Sequence, residues 1–184
     1  MKIHIIILLF ISTFLYGLNE TQIIQYENLC SNNDGYSCFI LGNDYDGNSN
    51  KQKSIKYLKK ACDLEYIDAY PLLAKLYEEH EDIEKAIFYY KKSCDSGKGL
   101  YCSWIAAIYD SGKQNIKQNK KTANAFYTQA CINNYSAGCV SLGYMYLNGI
   151  GAEKNIEYAN DLFEEACLDG YNFGCSLYKQ INSR

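Results

Sequence analysis

The sequence predicts an all-α fold, a right-handed α-solenoid of stacked helix–turn–helix repeats. Three observations carry that expectation. Cys30, Cys62, Cys94, Cys131 and Cys167 follow one another at intervals of 32, 32, 37 and 36 residues, a period typical of helical repeat arrays. The residues on either side of these cysteines recur at helical spacing, not in alternation. A good N-capping residue stands twelve positions before four of the five.

Each repeat has a helix that ends at its cysteine. Before the last four cysteines, the residue one back is Ala61, Ser93, Ala130 and Ala166. Four and five back stand Leu58 and Tyr57, Tyr90 and Tyr89, Tyr127 and Phe126, Phe163 and Leu162. Eight back stand Ser54, Ala86, Ala123 and Ala159. Offsets of 1, 4, 5 and 8 make one face of an α-helix. Twelve back stand Asn50, Asp82, Asn119 and Asn155, so these helices start there. They are predicted at 19–30, 51–62, 83–94, 120–131 and 156–167. A second helix follows each turn. Leu41, Leu73, Ile105 and Leu142 share a face with Gly42, Ala74, Ala106 and Gly143 and with Tyr45, Tyr77, Tyr109 and Tyr146. Glycine inside a helix costs about 1 kcal/mol against alanine, so small residues at one recurring position predict a close helix approach. These helices are predicted at 36–46, 67–79, 100–111, 136–147 and 172–181.

The chain of 184 residues, 48% hydrophobic, is long enough for one domain with a core. "MKIHIIILLFISTFLYG" has Lys2, then an apolar run from Ile3 to Leu15, then small Gly17. This reads as a secretory signal peptide over 1–17, too short to span a membrane comfortably. The repeat domain then covers 18–184, with a half-repeat at 18–30, repeats starting at 31, 63, 95 and 132, and a terminal helix at 168–184. Removing the leader leaves 17 basic against 21 acidic side chains. With no basic, aromatic-laced face, nucleic acid is a poor partner. An oxidising compartment, periplasmic or extracellular, would hold paired cysteines as disulfides.

"LGYMYLNGIG" at 142–151 resembles the L-G-x-x-Y-x-x-G-x-G signature of Sel1-like repeats. "CSNNDGYSC", "CDSGKGLYC", "CINNYSAGC" and "CLDGYNFGC" add C-x7-C pairs that resemble the Helicobacter cysteine-rich protein family, a secreted, disulfide-bridged set of such repeats. The second repeat departs from the signature, with "YEEHEDIEKA" in place of the glycine-rich loop. The expected bridges are Cys30–Cys38, Cys94–Cys102, Cys131–Cys139 and Cys167–Cys175. Eight residues of straight helix span about 12 Å, too far for a disulfide, so the chain must turn back inside each pair. Cys62 has Tyr70 where its partner would stand, followed by Pro71. Its place on the inward face predicts a shielded free thiol; the alternative is a disulfide between two chains.

Neither a cofactor nor a metal is expected. Spacing of seven is too wide for the usual zinc pairs. His80, the one histidine after the leader, sits in "HEDIE", without the second histidine of a zinc-protease motif. The resemblance implies penicillin binding or β-lactamase activity. The matching motifs would be S-x-x-K, S-x-N and K-T-G. "SLYK" at 176–179, "SNN" at 31–33 and "KTA" at 121–123 are scattered and out of order, and they read as accidents, so catalytic residues are unknown. Tyr36, Tyr66, Tyr101, Tyr135 and Tyr171, beside the turns, and the lone Trp104 are candidate recognition residues. The leading expectation is a monomeric scaffold that binds a protein or peptide on a concave face. The alternative is a hydrolase of β-lactams or cell-wall fragments.

Overall fold

The computed structural model describes residues 17–113 and 115–183. The leader expected at 1–17 therefore lies outside the described residues except for Gly17. Ten helices and no strands occur among the described residues: α1 (Glu20–Ser31), α2 (Gly35–Gly47), α3 (Lys51–Asp63), α4 (Ala69–Glu79), α5 (Ile83–Asp95), α6 (Gly99–Ser111), α7 (Lys120–Ile132), α8 (Ser136–Asn148), α9 (Ile156–Leu168) and α10 (Asn172–Asn182). The all-α repeat architecture is thus present. The largest shift from the expected ends is at α4, which starts at Ala69, not at 67. Ile67 and Asp68 instead form the turn, where the amides of Ala69 and Tyr70 bond to the carbonyls of Tyr66 and Ile67.

The caps explain the starts. The side chains of Asn50, Asp82, Asn119 and Asn155 accept from the amides of Lys53, Lys85, Thr122 and Tyr158 at 2.9–3.3 Å. Each satisfies an amide that has no intrahelical partner. The stops are equally regular. Three residues past the first cysteine, Asn33, Glu65, Gly97, Asn134 and Gly170 all have positive φ. Their amides bond to the carbonyls of Cys30, Cys62, Cys94, Cys131 and Cys167, and the next amide reaches one residue further back. That is the Schellman arrangement, which closes a helix on a left-handed residue. The pattern is one the sequence reading missed.

The chain divides into two compact units, Met1–Leu76 and Tyr77–Arg184, with the division inside α4. In the first unit α2 packs on α1 and α3. Gly42 of α2 meets Leu58 of α3, and a Cβ there would come within 2.5 Å of Leu58 Cγ. Ser54 uses the same approach to donate to the Gly42 carbonyl at 2.7 Å. In the second unit α5 through α10 pack each on the next, and α8 also touches α6 and α10. Its core gathers Leu142, Ala159, Leu162, Phe163 and Ala166 with the Cys131–Cys139 bridge. Gly143 meets Phe163 as Gly42 meets Leu58. The recurring tyrosines are half-buried and each lies on an aromatic ring of the following helix: Tyr45 on Tyr57, Tyr77 on Tyr89, Tyr109 on Phe126, Tyr146 on Tyr158, with centroids 4.8–6.1 Å apart.

Candidate ligand groove

Helix α6 has two working flanks. Cys102, Ile105 and Ala106 point inward and are buried. Trp104, Ala107, Ile108 and Ser111 follow the 0, 3, 4, 7 spacing of a second stripe and line an open groove of about 270 Å³, closed by Glu78 and Lys113. Trp104 is 42% exposed. Its ring stands edge-on to Tyr90 at 5.2 Å and to Tyr101 at 5.6 Å, and those two tyrosines stack on each other. The buried Tyr90 hydroxyl donates to Glu78 Oε2 at 2.9 Å, and Lys113 pairs with the other Glu78 oxygen. Burial, and then the bond to Glu78 and its charge, hold the Tyr90 phenol far above its ordinary range, so it stays a proton donor to Glu78. The groove is an apolar floor with a braced indole on one side and, on its rim, an ion pair whose lysine is exposed and whose carboxylate is half-buried.

A second, more polar cleft lies between the turn His80, Glu81, Asp82, Ile83 and Glu84 and the loop residues Asn115 and Ile116. His80 is solvent-exposed there. Asp82 caps α5 and pairs with Lys85, whose ammonium holds the carboxyl below its usual value.

The cysteines fall into two classes. Cys30–Cys38, Cys94–Cys102, Cys131–Cys139 and Cys167–Cys175 are disulfides with Cα atoms 4.4–4.8 Å apart, each joining the end of one helix to the start of the next. Cys62 is a free, buried thiol. The Tyr70 hydroxyl reaches the Cys62 carbonyl at 3.4 Å; Cys38 and Cys175 place their sulfurs near the corresponding carbonyls of Cys30 and Cys167, at 3.6 Å. Glu165 approaches Cys131 and Cys139 closely enough to suggest a ligand set, but the two sulfurs are bonded to each other and are not thiolate donors.

The scattered serine and lysine motifs sit in separate elements: Ser31 ends α1, Lys121 is in α7, and Ser176 and Lys179 are in α10. The Ser176 hydroxyl donates to the Asn172 carbonyl of its own helix at 3.0 Å. Of the turn tyrosines, Tyr36 and Tyr171 are exposed, while Tyr66, Tyr101 and Tyr135 are half-buried. Tyr66 packs on Tyr36 and Phe39. Tyr101 alone among the five is tied by ring contact to Trp104 in the described structure. Glu78 and Lys113 were not foreseen.

The family model for the Sel1 repeat matches residues 35–66, 76–98, 101–135 and 136–171. The unmatched 67–75 holds Tyr70 and Pro71. No curated protein sequence matches the chain. Among solved structures, a Sel1 repeat protein from Oxalobacter formigenes is 18% identical with a TM-score of 0.70, over 86% of this chain and 48% of that one. A protective antigen of uropathogenic Escherichia coli with an SLR fold is 19% identical with a TM-score of 0.70, over 86% and 35%. Cysteine-rich protein B of Helicobacter pylori is 27% identical over 86% and 92%, with a TM-score of 0.42. The chain thus spans about half the length of the first of these and about a third of the second.

Proposed function

Because the chain belongs to the Sel1 repeat family, we propose that it is a secreted or periplasmic binding scaffold whose Trp104 groove takes a peptide or protein segment. Four disulfides support a place outside the reducing cytoplasm, as does the leader-like start of the sequence. No helix among the described residues is long and apolar enough to cross a membrane.

The exposed Trp104 carries the reading. Buried aromatic anchors supply much of the energy of protein recognition. Here the ring is already braced by Tyr90 and Tyr101, so binding costs it little rotamer freedom. A groove of about 270 Å³ suits one or two side chains; drug-sized ligands usually occupy roughly 300–1,000 Å³. Glu78 is half-buried but Lys113 is exposed, and pairs with an exposed lysine are weak, so Lys113 can exchange its partner for an acidic group on the ligand. The hydrolase reading rests on the family resemblance alone.

Trp104 is the one tryptophan of the chain, so its fluorescence reports the groove directly. Peptides selected from a random library on the immobilised mature protein should shift its emission. They should bind Trp104→Ala, or the groove-filling Ala107→Arg, more weakly by about tenfold or more. Equal affinity for both variants overturns the groove. Turnover of a chromogenic cephalosporin by the purified protein would instead support the hydrolase, and Ser176→Ala would test its nucleophile.

A further inference from the structure

The first described residues make an arrangement that the repeat pattern does not require. The main-chain nitrogen of Leu18 donates to Asp44 Oδ1 of α2 at 2.7 Å. The other oxygen of that carboxylate accepts from Asn48 Nδ2, one turn on, at 3.0 Å, so the acceptor is fixed from its own helix. Asn19 then caps α1 in a reciprocal box: its amide donates to Gln22 Oε1 at 3.0 Å and its side chain accepts from the Gln22 amide at 2.9 Å. Regular structure therefore starts within two residues of the Gly17–Leu18 bond.

We infer that Gly17–Leu18 is the bond cut when the leader is removed, and that Asp44 is the seat of the new N-terminus. The inference rests on the secreted reading above. Hydrolysis by a leader peptidase adds water across the peptide bond. Gly17 leaves with a carboxylate, and Leu18 keeps the nitrogen as an α-amine, which takes up a proton at neutral pH. The atom that now donates one neutral N–H to Asp44 then carries three protons and a positive charge. A hydrogen bond becomes a charge-assisted one, roughly twice as strong. Gly17 is the small residue that leader cleavage requires before the bond. Cleavage acts on the extended chain before α1 and α2 pack, so the seat fills as the first unit folds.

The test uses the full chain expressed in a bacterial host with an export pathway. N-terminal sequencing of the exported protein should read Leu-Asn-Glu-Thr-Gln. Acylation of the α-amine at neutral pH should then be several-fold faster in Asp44→Asn than in the wild-type protein, with Asp44→Glu staying near wild type. An exported chain with a different first residue, or equal acylation in wild type and Asp44→Asn, overturns the seat while leaving secretion intact. A chain retained uncut inside the cell overturns both.

Discussion

The thiol of Cys62 is 6% exposed. Burial, ahead of the nearby Asp63 charge, pushes its pKa up to about 12 from an ordinary 9.0. The thiolate is the nucleophile, so iodoacetamide should label Cys62 slowly in the native protein and rapidly in denaturant, read by peptide mass. Fast native labelling, or a dimer lost in Cys62→Ser, would contradict the burial. The sign of the pH effect follows. Below pH 9 both states keep the proton; between pH 9 and about 12 only the unfolded chain loses it. The stabilisation from this group is therefore present below pH 9 and lost as the pH rises through about 12. Glu65 is the opposite case, a residue poorly matched to its place. It takes the left-handed conformation that glycine or asparagine takes in the other four turns, and that conformation costs an ordinary L-residue roughly 1–2 kcal/mol. Asparagine tolerates it better, so Glu65→Asn should stabilise the protein by up to about 1 kcal/mol, measured by urea unfolding.

At the scale of helices, most of the fold was legible because the repeat displays the same physics several times. The 1, 4, 5, 8 and 0, 3, 4, 7 stripes found the buried faces, and the residues at −12 are the caps that the structure uses. The recurring small residue marks a true close approach, and this can be tested within one helix. Gly42→Ala drives a Cβ into Leu58, whereas a Cβ at Gly47 meets nothing within 4 Å. Overpacking costs about 1–3 kcal/mol, more than the helix propensity gained, about 1 kcal/mol at most. Gly42→Ala should lower Tm and Gly47→Ala should raise it slightly. Of the groove, the lone Trp104 was legible as a recognition residue, but the stripe around it was not. Its anchor does not repeat: the positions equivalent to Trp104 hold Ile40, Leu72, Ser141 and Leu177. Glu78 and Lys113 come from an α4 terminus and a loop, which no periodicity connects. The Schellman ends were legible in Asn33, Gly97, Asn134 and Gly170, but a search for helical faces looks past turn positions.

For the whole molecule, stability is assembled locally. A repeat array is held by contacts between sequence neighbours and has no single deep core. Each bridge closes a loop of eight residues, worth about 2.5 kcal/mol in the chain-entropy model. Four together approach the 5–15 kcal/mol of an ordinary domain. Reduction should therefore remove most of the helical circular dichroism at 37 °C, and reoxidation should restore it. A reduced chain that keeps its full helical signal would show that packing alone suffices. The repeat at Cys62 lacks this support; there the Tyr70 hydroxyl reaches the Cys62 carbonyl, and no covalent bridge forms.

The short reach of the bridges has a consequence for how the chain acquires them. In a chain oxidised as it emerges, the correct partner of each first cysteine is also the next thiol to appear, so the order of appearance alone directs pairing. Cys62 breaks the rule, because the next thiol after it is Cys94, 32 residues on. Closing that loop instead of the eight-residue loop to Cys102 costs two doublings of length, about 1.2 kcal/mol. Loop length, and not order of appearance, thus draws Cys94 forward to Cys102, and the sulfur of the second repeat is left as a free thiol.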